Sequence, residues 1–140
     1  MINDEIKYSK IDTRALIIID DCLTKKDFDD EFIKELIHEG VKLNITFILT
    51  IQYPFILKYD LRKNFDYIFL LKNNSNQERI FEYFGNTIFD NFLSFQKNYN
   101  EMTENYGCMV LTNCSESNAF CDRVSKYKIK SVFFESNQLF

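Results

Sequence analysis

Asp20 and Asp21 stand side by side after Leu16-Ile17-Ile18-Ile19, and this acid pair is the sharpest chemical feature of the chain. Ala15 to Ile19 is a short continuous apolar run, the pattern of a fully buried strand of parallel type. The carboxylates follow at its C-terminal end, where α/β sheets usually carry their chemistry. Adjacent carboxylates repel, so holding them together costs free energy unless a cation or a hydrogen-bond donor compensates. An acid pair at such a rim therefore points to a metal or phosphate site; the competing reading is two solvated acids that cap the following turn. A second apolar run, Ile45 to Ile51, ends in Thr50 and Gln52. The Gln52 amide would stand at the equivalent edge, able to hydrogen-bond a phosphate oxygen or a water, or it is an exposed glutamine at a strand exit. Arg62 precedes a third apolar run and is either a surface arginine or a cation placed to neutralise charge on a neighbour's ligand. His38, the single histidine, falls in the last turn of a helix, where the dipole favours a cation.

These residues need a frame, and the hydrophobic spacing supplies one. From Asp27 to Glu39, Phe28, Phe32, Ile33, Leu36 and Ile37 recur at helical spacing, and Gly40 is placed to stop the helix with a left-handed turn. Two strands bracketing that helix make a βαβ unit; Pro54 ends the regular pairing. Tyr67 to Leu71 reads as a third strand, and Ser75-Asn76-Gln77-Glu78 as a capping box opening a helix that Gly85 closes. A further helix is predicted over residues 87–99, with Ile88, Phe89, Phe92, Leu93 and Phe95 as its apolar stripe. The stripe Phe81, Phe84, Phe89 and Phe92 reads as core rather than a base-stacking platform. Met109 to Leu111 and Ile129 to Phe134 read as final strands on either side of a polar stretch. Strands alternating with helices predict an α/β three-layer sandwich around a mostly parallel sheet.

Composition narrows the classes. At 140 residues the chain is read as one domain, 1–140, with 46% apolar residues and only three glycines and one proline, which excludes disorder. A net charge of −4 removes the argument from a strongly basic nucleic-acid-binding domain. Cys22, Cys108, Cys114 and Cys121 form no CxxC pair and lack a nearby histidine, so reduced thiols are expected rather than zinc. The N-terminus has no basic, then apolar, leader, and no apolar run nears the roughly 20 residues of a membrane span. A soluble intracellular protein without a membrane partner is the expectation.

Read in order, Leu16-Ile17-Ile18-Ile19-Asp20-Asp21, Gly40-Val41-Lys42-Leu43-Asn44-Ile45-Thr46-Phe47-Ile48, Gln52-Tyr53-Pro54 and Arg62-Lys63-Asn64-Phe65-Asp66-Tyr67 form a series. It resembles the DNA-packaging ATPases of poxviruses, giant viruses and virophages, in the FtsK/HerA superfamily, over roughly residues 14 to 112. The resemblance implies a partial RecA-like P-loop NTPase core from the Walker B strand onward. It implies Asp20 as the Mg²⁺-associated acid, Asp21 as the water-activating acid, Gln52 as sensor and Arg62 as arginine finger. Mg²⁺ and ATP are the cofactors it implies. Identical subunits in a ring, double-stranded DNA and a capsid are the partners, in the host cytoplasm, a viral factory or the virion.

The chain departs from that pattern twice. Val41-Lys42 stands where the family has Arg-His, and nothing in the chain reads GxxxxGK[ST]. The expectation is therefore a C-terminal portion of an ATPase core, inactive alone, whose phosphate-binding loop comes from a P-loop-bearing N-terminal segment. A non-catalytic, degenerate ATPase module for assembly or DNA contact is the rival. A receiver-like phosphoacceptor domain is another, since Asp20-Asp21, Thr50 and Lys72 mimic its acid pair, Thr and Lys; it would need an acceptor Asp closing a strand between residues 22 and 44.

Overall fold

The computed structural model describes residues 14–117 and 119–128, and the chain divides into two compact units that meet in sequence at Phe65 and Asp66. The strand expected at Ile129 to Phe134 lies outside the described residues.

In the first unit, β1 (Ala15–Asp20) pairs in parallel with β2 (Ile45–Thr50), with Ala15 opposite Ile45 and Asp20 opposite Thr50. A 3₁₀ turn (Asp27–Asp29) and helix α1 (Glu31–Glu39) make the crossover. Asp30 starts α1 because its carboxylate accepts from the backbone N–H groups of Phe32 and Ile33, which have no intrahelical partner. Ile33, Leu36 and Ile37 are buried on its inner side, while Phe32 is exposed. Gly40 does not enter the left-handed region; its φ is −52°, and the left-handed residue is Asn44, φ 57°. Glycine is needed at 40 because a Cβ would stand 2.5 Å from the Leu36 carbonyl oxygen. After β2, Pro54 opens a 3₁₀ turn (Pro54–Ile56) and a short helix, α2 (Tyr59–Arg62), follows. Phe28, Ile33, Ile37, Leu57 and Leu61 form the core, against which Ile19, Phe47 and Leu49 pack from one side of the sheet.

The second unit is built differently. β3 (Tyr67–Leu70), β4 (Gly107–Thr112) and β5 (Val124–Lys128) form an antiparallel sheet in the order β3-β4-β5. Between β3 and β4 lie α3 (Gln77–Ile80), which runs on as a π-helical turn (Phe81–Gly85), and α4 (Phe92–Met102). A short α5 (Phe120–Arg123) leads into β5, inside the stretch read from sequence as polar. Phe95, Tyr99 and Met109 are fully buried, and Phe95 contacts Phe81, Phe89 and Tyr99 with ring centroids 5.3–5.6 Å apart. Of the aromatic stripe, Phe89 is buried, and Phe81, Phe84 and Phe92 are half-buried. Ser75 does not cap α3: its N–H goes to the Asn73 side chain at 2.7 Å, and Asn76 takes the left-handed conformation ahead of the helix.

The three-layer sandwich around a mostly parallel sheet is therefore not what forms. Among the described residues the architecture is a two-stranded parallel sheet and a separate three-stranded antiparallel one, so the partial RecA-like core is overturned. The reason is physical. Apolar runs report that a strand is buried, and nothing in their spacing encodes whether the partner runs parallel or antiparallel. Only the β1–α1–β2 crossover obeyed the expected direction.

Candidate functional site

Asp20 and Asp21 come together with Thr50 and Gln52 at the C-terminal ends of β1 and β2. Because Asp20 pairs with Thr50 in register, their side chains share one side of the sheet, and the Thr50 hydroxyl donates to Asp20 Oδ1. The ladder extends one residue further: the Asp21 N–H donates to both the Thr50 carbonyl and Thr50 Oγ1, each at 3.1 Å. Thr50 therefore holds the side chain of one acid and the backbone of the next. Gln52 Nε2 donates to Asp21 Oδ2 at 2.5 Å. The two carboxylates that would repel each other are thus each held by a neutral donor, one from the last residue of β2 and one from two residues beyond it.

Asp21 sits at φ 48°, in the left-handed region that aspartate tolerates better than most side chains. That turn takes the chain off the strand and into a loop anchored by its own acids. The Thr24 N–H and hydroxyl donate to Asp27 Oδ2 at 2.6 and 2.7 Å, and those hydrogen bonds hold the Asp27 carboxyl below its usual range. Lys58 of the segment leading into α2 pairs with Asp29 Oδ1, a contact that lowers the Asp29 carboxyl in the same way, first by hydrogen bonding and then by charge. Lys34 Nζ caps the Asp29 carbonyl at 2.7 Å. The segment after the acid pair is thereby fastened to the two helices of its own unit.

Of the residues singled out by sequence, Asp20, Asp21 and Gln52 converge. Arg62 lies at the end of α2, half-buried, with its guanidinium 5.3 Å from the Tyr59 ring centroid, a cation–π arrangement. His38 is exposed in the last turn of α1. Thr50 bridges the two acids, a role that follows only once residue 20 is known to face residue 50. Between Asp21 and the start of β2 at Ile45 the described residues hold one 3₁₀ turn and one helix and no strand, which removes the place for a receiver's acceptor aspartate.

Two carboxylates and a hydroxyl are hard oxygen donors of the kind Mg²⁺ takes. Among the described residues no group of three or more His, Cys, Asp or Glu is placed to hold a metal. An ion held at this rim would have to use one or two carboxylates and complete its octahedron with water and phosphate oxygens, the usual habit of Mg²⁺.

This acid-bearing parallel rim belongs to a chain with viral relatives. It is 35% identical over 129 residues to uncharacterized protein L437 of Acanthamoeba polyphaga mimivirus, covering 89% of the chain and 45% of that protein. Uncharacterized protein 015R of Frog virus 3 (isolate Goorha) is 31% identical over 120 residues, 81% of the chain and 35% of that protein. Uncharacterized protein 088R of Invertebrate iridescent virus 3 is 27% identical over 117 residues, 81% of the chain and 44% of that protein. The chain spans less than half the length of these relatives. No protein-family model matches the sequence, and no solved structure matches it. No helix among the described residues is long and apolar enough to cross a membrane.

Proposed function

We propose that the chain supplies the acid rim of an ATP-driven viral DNA-packaging motor, with the phosphate-binding loop contributed by a separate segment. The observation that carries this reading is the convergence of Asp20, Asp21, Thr50 and Gln52 at the ends of two parallel strands. Its further support is the ordered sequence series and the viral origin of the relatives.

In this reading Asp20 would hold the Mg²⁺ end of a nucleoside triphosphate, its carboxylate fixed by the Thr50 hydroxyl. Mg²⁺, when bound, neutralises charge on the transferring phosphoryl group. Asp21 accepts the proton of the attacking water, and the Gln52 amide orients Asp21 for that task. Arg62 would act across a boundary between identical subunits, and double-stranded DNA and a capsid would be the further partners.

The test is reconstitution with a P-loop-bearing segment followed by Mg-ATP turnover. Asp21→Asn should lower kcat by about 10²-fold or more, as expected when a positioned proton acceptor is lost. An assembled complex whose turnover tolerates that change would instead be a non-catalytic module with DNA-contact or assembly duties.

A further inference from the structure

We draw no further inference here: the strongest candidate, the aromatic patch of Tyr67, Phe69 and Tyr127 on one side of the β3-β4-β5 sheet, carries nothing because nothing in the structure shows what covers it.

Discussion

Thr50 is the residue on which the candidate site turns, because a single hydroxyl donates to Asp20 and accepts from the Asp21 backbone. Thr50→Val removes that hydroxyl while keeping shape and strand propensity, so Asp20 loses its donor without a cavity forming. In the reconstituted complex the KM for Mg-ATP should rise by about 10-fold, the scale of one hydrogen bond to a charged group, and Thr50→Ser should restore it. A Val variant with wild-type kinetics would show that the rim needs no such clamp. Asp29 offers a second test at this scale. Its carboxyl lies below the usual 3.8 because Lys58 hydrogen-bonds and attracts its charged form. A depressed carboxyl contributes stability above its ordinary value and loses it as pH falls through the lowered one. Lys58→Met should therefore shift the urea midpoint at pH 7, with the difference shrinking as the pH is taken below about 4. A gap that persists in acid would assign Lys58 a packing role instead.

Among the elements, α1 and the π-helical turn make the clearest predictions. Asp30→Ala strips two backbone N–H groups of their acceptor and should cost about 1 kcal/mol in equilibrium unfolding. Gly85 closes the π-helical turn where a Cβ would stand 2.9 Å from Phe95 Cδ2 and 3.0 Å from Phe81 Cδ2. Gly85→Val should accordingly cost about 1–3 kcal/mol through overpacking, and truncation of Phe95 in the same variant should relieve part of the loss. Element by element, legibility followed what the apolar pattern encodes. β1, α1 and β2 could be read because their period and their polar exits are local signals. The direction of β3 could not, since it depends on a partner some forty residues later, with Tyr67 facing Thr112. The capping box failed because Asn73 takes the Ser75 N–H first. Asp20, Asp21 and Gln52 were legible as strand-end residues, whereas the Thr50 bridge required the register.

For the whole molecule, the thiols report on the second unit's core. Cys108 is buried in β4, and burial pushes its thiol up, while Cys22, Cys114 and Cys121 are exposed. A disulfide-exchange reagent at neutral pH should modify those three promptly and Cys108 only as the unit unfolds, so peptide mapping of the labelled chain gives an unfolding clock. Prompt labelling of Cys108 would contradict the packing of the antiparallel sheet. The parallel pairing of Ala15 with Ile45 has a further consequence for biosynthesis. Thirty residues separate the partners, so at a translation speed of 5–20 residues per second β1 waits roughly 1.5–6 s after emerging before its mate emerges in turn. During that interval the ribosome presents an aliphatic strand with nothing to pair it, which makes the nascent chain a client for chaperones that hold extended apolar segments.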